Sequence, residues 1–227
     1  MTKPAPSRPH LFSAFPENLG TLLFANAKPV RLATGEVLFI AGDPSDGCYR
    51  VEQGLLKVSI VAQTGTERIL AIVGPGAIVG ELGTIDGLPR SASVSAVRDS
   101  ALSFISRPAF AAFAATHPEV YRHLVSLLTA RLRDIDSVLA AGSFLPLKGR
   151  VARALLDLSE AFGKDLGGGR ILINQKISQA DVAAMAGIAR ENVSRILNEW
   201  VRDKLVCRLS GYYCLEDKAR LEREAAI

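Results

Sequence analysis

The 227-residue chain is predicted to adopt an α+β fold in two units: a β-rich half and a smaller mixed half, bridged by one long helix. Three observations predict it. From Val30 to about Ile105, short apolar runs recur between Gly-containing turns at the spacing of about 8–12 residues seen in antiparallel sandwiches and barrels. Glu119–Ala141 contains neither Gly nor Pro, as a long helix requires. After residue 178, two short helical patterns precede two strand-like runs, the texture of a winged helix-turn-helix.

Residues 1–27 read as a short tail followed by a helical or irregular segment. The β-rich half then runs Val37–Ile40, Cys48–Glu52, Leu55–Ala62, Arg68–Val73, Ala92–Val97 and Ala101–Ile105. Gly42-Asp43-Pro44, Asp46-Gly47, Gln53-Gly54, Thr64-Gly65 and Gly74-Pro75-Gly76 supply the turns between them. Pro108 and Pro118 each suit a first helical position. The second opens the long helix, of roughly 35 Å at about 1.5 Å per residue. Leu124, Leu128, Leu132, Ile135 and Leu139 share one face of it. That stripe fits either packing on its own domain or a two-stranded seam between subunits. Gly142-Ser143 and Pro146 break the helix, placing a domain boundary between 1–143 and 144–227, with the helix at about 119–141. Arg150–Phe162 reads as a helix, Gly167–Gly169 as a turn and Arg170–Ile173 as an apolar run. Ser178 is a candidate N-cap with Asp181 three residues on. Val206–Leu209 and Tyr212–Leu215 form a hairpin about Ser210-Gly211.

Composition narrows the function classes. Apolar residues make up 48% and charged residues 22%, the mix of a globular protein. No apolar run approaches the ~18 residues of a membrane span, and Met1–His10 shows no signal peptide, so no membrane partner is expected. Three scattered cysteines, Cys48, Cys207 and Cys214, suit a reducing, cytoplasmic compartment and match no metal-binding spacing. The net charge of +4 permits nucleic-acid binding without establishing it. Residues 141–227 hold 14 basic and 11 acidic residues, against 13 and 12 in residues 1–140, so specific residues must carry the argument. The chain has no nucleophile elbow, Walker motif or HExxH spacing, and no enzyme is expected.

Two segments carry chemistry. In Gly80-Glu81-Leu82-Gly83…Pro89-Arg90-Ser91-Ala92-Ser93-Val94, Arg90 offers a forked cation suited to phosphate. Ser91 adds a hydroxyl, and Glu81 suits a sugar hydroxyl. Together they specify a nucleotide more than a free anion. In Ser178–Leu205, Val182, Met185, Ile188, Val193, Ile196 and Leu197 form the apolar positions, and Gly187 makes the turn between two helices. The second helix presents Arg190, Glu191, Ser194 and Arg195. Arg190 and Arg195 suit guanine and Glu191 suits cytosine N4. Ser178, Gln179 and Asn192 suit phosphate contacts.

The first segment resembles the phosphate-binding cassette of cyclic-nucleotide-binding domains. The resemblance implies a β jelly-roll in which Glu81 holds the ribose 2′-hydroxyl, Arg90 and Ser91 hold the cyclic phosphate, and Gly80 and Leu82 line the pocket. The second segment resembles the recognition motif of the cyclic-AMP receptor protein/fumarate–nitrate regulator superfamily through Arg190, Glu191, Val193, Arg195 and Leu197. With both, the likeness covers about residues 20–215. It implies a homodimer joined through the long helix, a double-stranded DNA operator with TGTGA-like palindromic half-sites, and contact with RNA polymerase, for which residues 161–169 are a candidate loop. The receptor-protein branch contacts adenine with a Thr-Ser pair, where this chain has Ile135 and Asp136. Asp136 accepts from either adenine or guanine, so the base contact stays open; cyclic AMP is favoured as ligand and cyclic GMP competes. The oxygen-sensing branch needs four cysteines, which excludes an iron–sulfur cluster; no haem ligand pattern or metal site is expected either.

Overall fold

The computed structural model describes residues 17–226; the Met1–His10 tail lies outside them. The N-terminal half runs α1 (Glu17–Leu23), β1 (Lys28–Leu32), β2 (Val37–Phe39), β3 (Gly47–Val61), β4 (Glu67–Val73), β5 (Ile78–Val79), α2 (Glu81–Asp86), β6 (Ser93–Ser106), α3 (Arg107–Thr116) and α4 (Glu119–Phe144). Its six strands form one antiparallel sheet in the order β1-β6-β3-β4, with β2 also on β6 and β5 on β3. Leu32, Val51, Leu56, Val73, Val79, Val94 and Leu102 pack inside it. A second cluster joins α1, α3 and the start of α4 to the sheet through Leu19, Leu23, Cys48, Ile78, Phe110, Val120 and Leu124.

The sequence divides the two longest strands where the structure does not. Cys48–Glu52 and Leu55–Ala62 join as β3, and Ala92–Val97 and Ala101–Ile105 join as β6. Gln53-Gly54 is an irregularity of the β3–β6 ladder rather than a turn. Gly54 sits at φ 100°, and a Cβ there would meet Ser100 Oγ at 2.1 Å. A glycine bulge accommodates the extra residue without ending the strand.

Helix α4 also passes the predicted break. It continues through Gly142 and Ser143 to Phe144, because one interior glycine costs only about 1 kcal/mol. Pro146 stops it, and Arg150 donates to the carbonyls of Gly142 and Leu145 at the bend. Compact packing divides the chain between Leu132 and Arg133, within this helix.

The C-terminal unit continues with α5 (Leu147–Phe162), β7 (Gly163–Gly167), β8 (Arg170–Ile173), α6 (Gln179–Ala186), α7 (Arg190–Arg202), β9 (Val206–Leu209), β10 (Tyr212–Leu215) and α8 (Lys218–Glu224). The predicted hairpin is half of a four-stranded sheet, β7-β8-β10-β9. Strand β7 was not predicted because Gly-Lys-Asp-Leu-Gly is exposed throughout and has no apolar alternation. Val151, Leu155, Leu158, Val193, Leu197, Trp200, Tyr213 and Leu215 form the core of this unit. Among the described residues, no helix is long and apolar enough to cross a membrane.

Candidate functional site

Strand β5 delivers the chain to Gly80, which adopts the left-handed conformation at φ 79° and opens α2. Glycine is required twice over there: the backbone is left-handed, and a Cβ would meet Arg90 Nη1 at 2.3 Å. Glu81 follows as the first residue of α2.

Arg90 is not a surface cation. It is only 5% exposed. Its Nη1 donates to the carbonyls of Gly47 and Gly80 at 2.7 and 2.9 Å, and its Nη2 donates to Asp46 Oδ1 at 2.8 Å. The guanidinium lies over the Phe39 ring, 4.2 Å from its centroid. The Arg90 backbone is held as well, donating to Asp43 and accepting from Gly42. Two buried polar atoms beside this turn have no hydrogen-bond partner among the described residues: Arg90 Nε and Ser45 Oγ. Ser45 borders Gly83 of α2.

Glu81 is equally buried, at 3%, and forms an ion pair with Arg131 of α4. Arg131 also donates to the Ile78 carbonyl at 2.8 Å. Nothing in the sequence singles out Arg131, because an interval of 50 residues carries no local signal for the pairing. Asp46 was likewise assigned only to a turn. Behind the turn, burial and then the Glu81 charge push the Cys48 thiol up to about 12, so it stays protonated. Ser91 and Leu82 are exposed. Asp136 is exposed on α4 and groups with the C-terminal unit.

The second site is built on α6 and α7. Ser178 caps α6 in a full capping box: its Oγ accepts from the Asp181 amide at 3.0 Å and donates to the Asp181 carboxylate at 2.6 Å. That hydroxyl therefore closes the helix terminus. Gly187 ends α6 at φ 65°. Helix α7 buries Val193, Ile196, Leu197 and Trp200 and turns its other face outward.

That outward face and Gln179 line a groove of about 850 Å³ that contains Arg190, Glu191, Ser194 and Arg195. Five residues singled out from the sequence thus converge. The groove adds Asn198 and Arg202, whose signal was their helical spacing from Ser194 and Arg195. Asn192 is half-buried and accepts from Arg195 Nη2 at 3.1 Å, so it positions that guanidinium. Lys148 hydrogen-bonds Glu199 and holds its carboxyl below the ordinary range. Three arginines, Arg190, Arg195 and Arg202, and one acid, Glu191, line the groove.

Two family profiles match these two regions. Residues 29–117 match the cyclic nucleotide-binding domain, and residues 149–224 match the Crp-like helix-turn-helix domain. Over 220 residues the chain is 30% identical to a protein of Mycobacterium tuberculosis named CRP-like cAMP-activated global transcriptional regulator, spanning 96% of this chain and 97% of that one. The chain belongs to the CRP/FNR family of transcriptional regulators. Another family member, the Cyclic AMP receptor protein of Thermus thermophilus, is 35% identical over 191 residues, covering 84% of this chain and 85% of its own length. The solved structure of FixK2 from Bradyrhizobium japonicum has the same fold, with a TM-score of 0.77 at 20% identity over 88% of this chain and 98% of that one. As a CRP/FNR member the protein is a DNA-binding transcription regulator with a cyclic-nucleotide-binding domain, and not an enzyme.

Proposed function

We propose that this regulator is a homodimer controlled by a cyclic nucleotide, cyclic AMP in preference to cyclic GMP. The nucleotide binds at Gly80, Glu81, Leu82, Arg90 and Ser91, and Asp136 accepts from the base. In this reading residues 1–143 are the effector domain with the dimerisation helix, and residues 144–227 are the DNA-binding domain. The two α7 helices of the dimer enter successive major grooves of a palindrome with TGTGA-like half-sites, roughly 34 Å apart. Arg190, Glu191 and Arg195 read bases, Ser194 lies against them, and Gln179, Asn192 and Ser178 face the backbone. The protein works in the cytoplasm with RNA polymerase.

The observation that carries the ligand reading is the pair of orphaned polar atoms, Arg90 Nε and Ser45 Oγ, buried beside the Gly80 turn. Burying such atoms unsatisfied costs roughly 1–3 kcal/mol each, and nucleotide oxygens would satisfy them. The names of the Mycobacterium and Thermus relatives support cyclic AMP. The dimer rests on α4. Leu124 is buried in its own domain, but Tyr121, Val125, Leu132, Ile135 and Leu139 are all 46–69% exposed. With Leu128 they are spaced 4, 3, 4, 3 and 4 apart, the heptad pattern of a two-stranded seam.

One observation favours a second reading, a regulator active without nucleotide. Asp46 and two carbonyls already engage the Arg90 fork, and Arg131 already engages Glu81. Calorimetric titration with cyclic AMP and cyclic GMP, paired with operator binding with and without each, separates the two. Heat with cyclic AMP and tighter operator binding in its presence are expected. No heat with either nucleotide and equal operator binding would sink the ligand-controlled reading.

A further inference from the structure

The hairpin of the C-terminal sheet gathers three side chains that the DNA reading does not use. Strands β9 and β10 pair so that Cys207 stands opposite Cys214. Cys207 and Cys214 thus share one face of the hairpin, and Glu216 follows just past the end of β10. The other face carries Val206, Tyr213 and Leu215, each at most 1% exposed in the core. The two thiol sulfurs and a Glu216 carboxylate oxygen all lie within 4.8 Å of one another.

This grouping is held rigidly. The two-residue turn has Ser210 at φ 51° and Gly211 at φ 89°, the left-handed pair that locks hairpin register. Strand β10 is also paired to β8 through Cys214 and Leu172, and the Glu216 amide donates to the Leu205 carbonyl at 2.9 Å. The ligand atoms can therefore close by small side-chain rotations on a fixed backbone.

We propose that Cys207, Cys214 and Glu216 form a binding site for a soft divalent cation of the zinc class, with water as a fourth ligand. Two sulfurs and one carboxylate oxygen are a zinc donor set, and three protein ligands leave one open position. Tetrahedral bonds of about 2.3 Å place zinc-bound sulfurs roughly 3.8 Å apart, within reach of the observed spacing. Thiolates discriminate against magnesium and calcium. Charge also fits. Two thiolates, one carboxylate and a dication sum to one negative charge, and Arg170 Nη1 lies 3.8 Å from Glu216 Oε2.

Glu216 lines a groove of about 600 Å³ with Asp165, Asp217 and Glu222, against a single Lys218, and such a lining concentrates cations. Binding as thiolates releases the two thiol protons to solvent.

The test is a cobalt(II) titration of the full-length protein, reduced and kept free of oxygen. The expected result is a thiolate-to-cobalt charge-transfer band that saturates at one cobalt per chain and is erased by stoichiometric zinc. Cys207→Ser, at a half-buried position, should keep the fold by circular dichroism and lose half the band or more. Glu216→Gln should retain the band at an affinity weakened about tenfold or more. Absence of the band from the wild-type protein would overturn the proposal, as would a Cys207–Cys214 disulfide in place of metal uptake. An undiminished band in folded Cys207→Ser would also overturn it, by placing the metal elsewhere.

Discussion

Arg131 on the long helix pairs with Glu81 at the start of α2, and the Glu81 side chain is only 4% exposed. The helix thereby reaches the residue proposed to hold the ribose. Removing one partner of a buried pair leaves the other charge uncompensated. Arg131 is itself a third exposed, so Arg131→Ala should destabilise the protein by about 2 kcal/mol, below the 3–5 of a fully buried pair. Arg131→Ala combined with Glu81→Gln should recover part of that loss. Denaturant unfolding of the two variants checks both statements; equal loss in the double variant would remove the pairing as the cause.

Arg90 holds two backbone carbonyls and a carboxylate at once. Lysine cannot reproduce that planar fork. Arg90→Lys should therefore cost at least tenfold in nucleotide affinity despite its retained charge, while Arg90→Ala should also lower stability by about 2–3 kcal/mol. Calorimetry and thermal melts on the same samples separate the two effects.

The groove arginines divide by role. Arg190→Ala and Arg195→Ala should each weaken operator binding by about 1–3 kcal/mol and relax base preference at one position. Arg202, at the far end of the groove, should act on phosphate: Arg202→Ala lowers affinity for all sequences alike and reduces the salt slope by about 1. Selection of sites from a random DNA pool reads the difference, and unchanged preference in Arg190→Ala and Arg195→Ala would contradict the base-reading assignment.

Seam and core positions on α4 should respond oppositely. Ile135→Asp or Leu139→Asp, at exposed apolar sites, should yield a folded monomer in sedimentation. Leu124→Ala, buried at 2% exposure, should instead cost about 2–5 kcal/mol of stability.

Acid sensitivity has a local contributor. Asp99 accepts from both the amide and the hydroxyl of Thr34 at 2.8 Å, which holds its carboxyl below the ordinary range. Because its folded value is the lower one, its stabilisation is present above the unfolded value near 3.9 and is lost as pH falls. Urea midpoints of Asp99→Asn should consequently change less than those of the wild type below about pH 4.

The sequence was most informative where function is encoded within one turn or one helix. Arg90, Glu81 and Gly80 sit in a single segment, and Arg190, Glu191, Ser194 and Arg195 follow helical spacing on α7. The capping box at Ser178 was visible for the same reason. Local pattern is misleading where a glycine serves a bulge rather than a turn, as at Gly54, and silent where a strand lacks alternation, as in β7.

The sequence by itself determined the succession of a β-rich half, a long helix and a helix-turn-helix with hairpin, the two functional segments and the family. Those depend on spacing along the chain, which periodicity and backbone preference express locally. Only the tertiary structure decided which distant groups meet, Glu81 with Arg131 and Arg90 with Asp46, and which apolar residues of α4 are exposed, Tyr121 and Val125 rather than Leu124. It also turned Cys207, Cys214 and Glu216, which match no metal spacing along the chain, into one cluster. Register across a hairpin and packing of a helix on a sheet set those distances, and neither leaves a mark on sequence separation.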